Sequence, residues 1–245
     1  MSHPAHPPFE ASQLLSCFPS GDGLRWRSVG TIVLSGAVDI PCAPARLHAD
    51  WGREMARLGL EAGDVEALSL ARSRTRWPDY RQCVQAVSGW THAAGLQDVL
   101  ADSEVALMAC RGARYHHDGQ QYGSAVFCNL FLSEDKGLDL HFPAAGLRIP
   151  LVRGTVVVFD TAQPHAVIDR GGSGFDVDDF PPGRDCAQVF LTWELPVENA
   201  LVAQALGIAF DVAAPSPVPP NEEGLWRNGA PARVCPASGR WLQGG

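Results

Sequence analysis

This chain has almost no lysine. Of its 19 basic residues only Lys136 is a lysine, so a fixed cation for an anionic ligand has to be sought among the arginines. Positive charge is scarce as a whole: 19 Lys and Arg stand against 27 Asp and Glu, for a formal net charge of −8 and a pI of ≈ 5.4. A nucleic-acid-binding face needs the opposite sign, so a nucleic-acid partner is not expected. No run approaches the roughly 18 uninterrupted apolar residues of a membrane span, so no membrane segment is expected. Paired cysteines are missing too. The seven Cys (17, 42, 83, 110, 128, 186, 235) are odd in number, dispersed and free of C-x-x-C spacing, which reads as reduced thiols in a cytoplasm. The first residues carry His and Pro but no basic region followed by an apolar run, so no secretory leader is read there. No internal repeat stands out.

What is present is ordinary globular composition, 46% hydrophobic and 19% charged over 245 residues, enough for one full core. Residues 1 to about 23 are rich in Pro, Ser and Gly and read as a loose arm. Residues 31–34 read as a short strand. Helix formers dominate 49–72, with Met55, Leu58, Leu60, Val65, Leu68 and Leu70 near helical intervals and a break at Gly63-Asp64. A second helical stretch covers 79–100, weakened by Gly89 and Gly95. After Leu100 the texture changes. The runs 105–109, 125–132, 138–142, 147–151, 155–159 and 187–193 are short, rich in β-branched and aromatic residues, and separated by Gly, Asp or Pro. Such spacing predicts a β-sandwich or barrel, a jelly roll among them. The stretch 171–183 reads as a mobile acidic loop and a candidate lid, 199–210 as a short helix, and 213–220 as an extended Pro-rich segment. The expected class is α+β and mainly β. It has an N-terminal arm and supporting helices (1–100), a β core (101–195), and a C-terminal helix and Trp/Gly/Pro-rich tail (196–245), all in one compact unit.

The chemistry concentrates in Tyr115-His116-His117-Asp118, with His165 arriving 47 residues after Asp118. On a strand, His116 and Asp118 point to one face and His117 to the other. Two imidazoles and one carboxylate on one face of a metal leave the opposite positions open, the ligand pattern of non-haem Fe(II) oxygenases. His117 adjoins Asp118 directly and is set aside as structural. His3, His6, His48 and His92 read as surface residues, His141 as solvent-facing, and Asp160 as a turn former.

From 105 to 195 the chain resembles the double-stranded β-helix core of the 2-oxoglutarate/Fe(II)-dependent dioxygenases, especially the prolyl-hydroxylase-like branch. The resemblance rests on His116-x-Asp118 and on the run 151–167, Leu-Val-Arg-Gly-Thr-Val-Val-Val-Phe-Asp-Thr-Ala-Gln-Pro-His-Ala-Val. It implies a jelly-roll core buttressed by the N-terminal helices, with Fe(II) held by His116, Asp118 and His165. It also implies 2-oxoglutarate and O₂ as co-substrates, and succinate and CO₂ as products of an oxidation that hydroxylates or demethylates a substrate. The run 183–193, which begins Gly-Arg184, is similar to the family's final core strand, and this makes Arg184 the expected clamp for the far carboxylate of 2-oxoglutarate. A guanidinium suits that task because it binds a carboxylate through two parallel hydrogen bonds. Arg184 lies 19 residues after His165, which the acidic loop accounts for as an insertion, and Arg170 is the competitor. Asn129, a polar residue inside an apolar run, is expected to touch the co-substrate's metal-proximal carboxylate. Gln121 and Tyr122 are expected at the mouth.

The leading reading is therefore an Fe(II)- and 2-oxoglutarate-dependent dioxygenase acting on a small molecule or protein. The alternative is a non-catalytic metal- or ligand-binding β-barrel module whose tail docks a partner protein. A cupin-like metalloenzyme is disfavoured, because cupin sites use more His than this motif offers.

Overall fold

The computed structural model describes residues 14–212 and 223–242. His3, His6 and the Pro-rich segment 213–220 lie outside these residues. The chain opens with paired strands β1 (Leu14–Ser20) and β2 (Gly23–Ser28). Next come the edge strand β3 (Leu34–Ala37), helix α1 (Ala45–Leu58), strand β4 (Val65–Leu68), the short α2 (Leu70–Arg74) and α3 (Tyr80–Ala93). Eight strands follow: β5 (Glu104–Arg111), β6 (Ala113–His116), β7 (Ala125–Phe131), β8 (Leu138–Phe142), β9 (Leu147–Pro150), β10 (Thr155–Asp160), β11 (His165–Asp169) and β12 (Ala187–Pro196). Helix α4 (Ala200–Leu206) and the hairpin β13 (Gly224–Arg227) and β14 (Ala230–Pro231) close the chain.

The eight strands divide between two antiparallel sheets. One runs β3-β10-β7-β12-β5-β4 and the other β6-β11-β8-β9. From β5 to β12 the chain changes sheet at every connection except β8 to β9, which winds it into a double-stranded β-helix, the jelly roll expected from the resemblance. The apolar runs are continuous because the larger sheet is buried on both faces. In β10, Val156 and Val158 pack toward the helices, whereas Val157 and Phe159 face the barrel interior. Each such side chain contributes about 1.5–3 kcal/mol on burial. The helical layer is held by Trp51, whose indole N–H donates to Ser73 Oγ at 3.0 Å and whose ring meets Trp77 edge-on. Gly36 on β3 lies so close to the Trp90 indole of α3 that a side chain there has no room.

Several local expectations shift. Within the expected arm, Leu14–Ser20 form a strand that pairs with both β2 and the C-terminal β13. The strand expected at 31–34 instead starts at Leu34. The helix expected over 49–72 stops at Leu58, where Gly59 takes a left-handed φ of 69° as its C-cap. Past a second left-handed turn at Gly63, Val65–Leu68 pairs with β5 instead of continuing the helix. The loop at 171–183 is no loose lid: Phe180 is buried in the barrel wall, stacks on Phe175 and fills the space above Gly112. Among the described residues, no helix is long and apolar enough to cross a membrane.

Candidate metal centre

The three sequence-identified ligands meet at one end of the barrel. His116 is the last residue of β6 and His165 the first of β11, and the two are register partners across the smaller sheet, with ring centroids 4.4 Å apart. Asp118 lies beyond the end of β6, so turn geometry and not strand alternation brings it to the same side. Its backbone N–H donates to Thr161 O at 2.8 Å, and its own carbonyl accepts from Gln121 N at 2.9 Å and Tyr122 N at 2.8 Å. The carboxylate then sits between the imidazoles, 3.6 Å from His116 Nε2 and 3.5 Å from His165 Nε2.

Hydrogen bonding fixes which nitrogen each ring presents. His116 Nδ1 donates to Arg114 O at 2.7 Å and His165 Nδ1 donates to Gln163 O at 2.9 Å. A carbonyl only accepts, so the protons reside on Nδ1 and both Nε2 lone pairs face Asp118. His165 is buried against Phe159 and Phe142. That burial, reinforced by His116, holds its pKa well below the ordinary histidine range, so the ring is a neutral donor at neutral pH. Burial raises the Asp118 carboxyl, opposed by His116 and His117. A divalent cation favours neutral imidazoles and an ionised carboxylate, so the donor set fits such a metal. Within the described residues these three are the group of His, Cys, Asp and Glu side chains able to share one ion, with all ligand atoms inside 4.8 Å.

The loop between β10 and β11 that carries His165 is pinned by a buried ion pair that the sequence did not reveal. Arg27 on β2 meets Asp160 at the end of β10 through Nη1–Oδ2 at 2.6 Å and Nη2–Oδ1 at 2.9 Å, both side chains fully buried. Asp160 also accepts from Gly30 N at 2.7 Å and Ala162 N at 3.0 Å. The residue read as a turn former is therefore the anchor of the loop. Its partner lies 133 positions earlier, where no local pattern points to it.

A cavity of ≈ 300 Å³ runs from the metal face into the barrel. Gln121 and Tyr122 line it, as expected, and so does Asn129. Asn129 sits on β7 directly across from Thr192 on β12. Glu194, two residues beyond Thr192 on the same face, also lines the cavity, and burial next to Glu104 raises its carboxyl pKa.

Arg184 is elsewhere. β12 begins only at Ala187, and the turn before it sends the Arg184 guanidinium to Asp169 Oδ2 at 2.7 Å and to Asp179 O at 2.7 Å. The competitor Arg170 is bound to Asp135 and Asp139. No arginine or lysine lines the cavity. This holds for the whole chain, because all 19 basic residues fall within the described residues. His117 turns away from the metal face, against Trp241 and Ala232 O, and His141 is bonded to the Tyr115 hydroxyl at 2.5 Å.

No family model matches the chain, and no curated protein matches it. Similar solved structures include the viral collagen prolyl hydroxylase of Paramecium bursaria Chlorella virus-1 in its 2-oxoglutarate complex. It is 8% identical, with 67% of this chain and 96% of that one covered and a TM-score of 0.41. A Pseudomonas putida prolyl-4-hydroxylase is 19% identical over 67% of this chain and 91% of that one, with a TM-score of 0.38. The non-haem, alpha-ketoglutarate-dependent epimerase SnoN from nogalamycin biosynthesis is 14% identical over 85% and 92%, with a TM-score of 0.36.

Proposed function

We propose that the protein is an Fe(II)-dependent dioxygenase that uses a 2-oxo acid as co-substrate, 2-oxoglutarate being the one the sequence motif implies. It would hydroxylate or demethylate a small molecule or an exposed side chain admitted at Gln121 and Tyr122. The observation that carries this reading is the convergence of His116 Nε2, His165 Nε2 and the Asp118 carboxylate at the edge of the barrel cavity. Iron held there would supply chelation of the 2-oxo acid head and redox chemistry with O₂.

The chain's own residues do the rest. The carbonyls of Arg114 and Gln163 hold both rings in the ligating tautomer. Thr161 O, Gln121 N and Tyr122 N fix the turn that presents Asp118. Phe159, Leu140 and Val167 wall the cavity with hydrocarbon beside the metal face. Asn129 and Thr192 add polar groups to the wall, and no guanidinium enters the cavity. The test is turnover: Fe(II)-loaded protein supplied with O₂ and 2-oxoglutarate is expected to form succinate, with or without substrate, and His165→Ala to form none. Iron-loaded protein that consumes no 2-oxo acid would contradict the proposal and leave the non-catalytic binding module standing.

A further inference from the structure

The cavity wall carries a carboxylate that nothing neutralises. Glu194, near the end of β12, lines the cavity and is only partly buried. Its carboxylate takes part in no ion pair or hydrogen bond among the described residues, which include all 19 Arg and Lys. Its register partner on β5 is Glu104, a second negative charge. Its register partner on β7 is Phe127, whose ring meets that of Tyr122 edge-on at 5.0 Å. Both rings line the cavity and are likewise partly exposed.

This corner adjoins the metal centre on two sides. The Tyr122 backbone N–H donates to the carbonyl of Asp118 at 2.8 Å. Phe127 meets Phe159 with ring centroids 6.0 Å apart, and Phe159 meets His165 at 4.8 Å. A substrate held at the metal face therefore has Glu194, Tyr122 and Phe127 as neighbours.

The charge selects the end that the substrate presents. A molecule that covers Glu194 strips water from its carboxylate, and a desolvated charge needs a partner. An anionic end is repelled by Glu194 and Glu104 together. A neutral hydroxyl supplies one hydrogen bond but no counter-charge. An ammonium supplies the counter-charge and is also attracted to the faces of the flanking rings. No Arg or Lys lines the cavity to compete for that carboxylate.

We infer that the substrate carries a cationic nitrogen, a protonated or methylated amine, which Glu194 holds beside Tyr122 and Phe127 next to the metal. The inference rests on the proposed function for calling that ligand a substrate, whereas the cation site stands on the cavity wall itself.

Two matched pairs of small probes test it. Choline is set against 3,3-dimethylbutan-1-ol, in which carbon replaces the quaternary nitrogen, and butylammonium against 1-butanol. Each is titrated by calorimetry into the anaerobic, Fe(II)-loaded full chain with 2-oxoglutarate present. Each cation is expected to bind about tenfold more tightly than its neutral counterpart. Glu194→Gln keeps the side chain's size and is expected to erase that difference. Glu198→Gln alters a carboxylate that pairs with Arg25 outside the cavity and is expected to leave the difference intact. Equal binding within both pairs would overturn the inference, and so would a cation preference that survives Glu194→Gln. The visible charge-transfer band of the same sample reads the proposed function separately. A band without cation preference removes this inference alone. Cation preference without a band removes the proposed function and leaves a cation-binding cavity.

Discussion

Two parts of one cavity wall are built on opposite plans. At the metal end every ligand is tied down twice, by its place at a strand terminus or turn and by a backbone carbonyl or N–H. Midway along the β7–β12 pair, Asn129 Oδ1 and Thr192 Oγ1 are buried with no partner among the described residues. Preorganisation at the first end suits a small ion that accepts only one arrangement of donors. Unmatched polarity at the second lowers stability unless water or a ligand meets it.

Breaking the metal pole should have the largest effect. His165→Ala or Asp118→Ala leaves two ligands, and Fe(II) affinity, measured by titration calorimetry, is expected to fall by well over ~100-fold. Wild-type affinity in either variant would mean that the metal binds elsewhere. Next comes the support beneath that pole. Arg27→Met leaves Asp160 as a buried charge without its partner and is expected to destabilise the protein by about 3–5 kcal/mol in thermal or denaturant unfolding. The loop that carries His165 should loosen with it, so metal affinity is expected to drop as well. Unchanged stability would show that Asp160 is held by the Gly30 and Ala162 amides alone.

The Asn129–Thr192 pair should respond with the opposite sign. Thr192→Val removes a buried hydroxyl that has no partner, so the ligand-free protein is expected to be as stable as wild type or up to about 1 kcal/mol more stable. A clear loss of stability would mean that the hydroxyl is already satisfied within the fold. The smallest effect is on thiol chemistry. Cys110 lines the cavity, and burial pushes its thiol up to about 12, whereas hydrogen bonds from Ser238 and its backbone lower Cys235 on the surface. The thiolate is the reactive form, so a lower pKa means a faster reaction at pH 8. Cys235 and the exposed Cys42 are expected to be labelled first, with Cys110 silent until unfolding, as mass spectrometry can follow.

The same contrast runs through what the sequence disclosed. Local chemistry was legible: the spacing of His116, Asp118 and His165, and the aromatic and β-branched runs of β7, β10 and β12, carry the metal face and the barrel. Long-range pairing was not. β1 finds β13 across some 200 residues of chain, and Arg27 finds Asp160, and no periodicity encodes either. The resemblance to the family's final core strand misled at Arg184, because that strand begins later here. Arg184 shares parity with the inward face of β12 but stands in the turn before it, where Asp169 takes its charge. The polar pair in the cavity wall was legible only in part: Asn129 stood out as polar in an apolar run, but its pairing with Thr192 needed the register of two strands.

The central claim is that His116, Asp118 and His165 hold an iron that chelates a 2-oxo acid inside this barrel. Its most direct test is the visible absorption of anaerobic, Fe(II)-loaded protein as a 2-oxo acid is added. A saturable charge-transfer band in the wild type that is missing in His165→Ala is the predicted result. Iron-loaded wild-type protein that shows no such band with any 2-oxo acid would contradict the account.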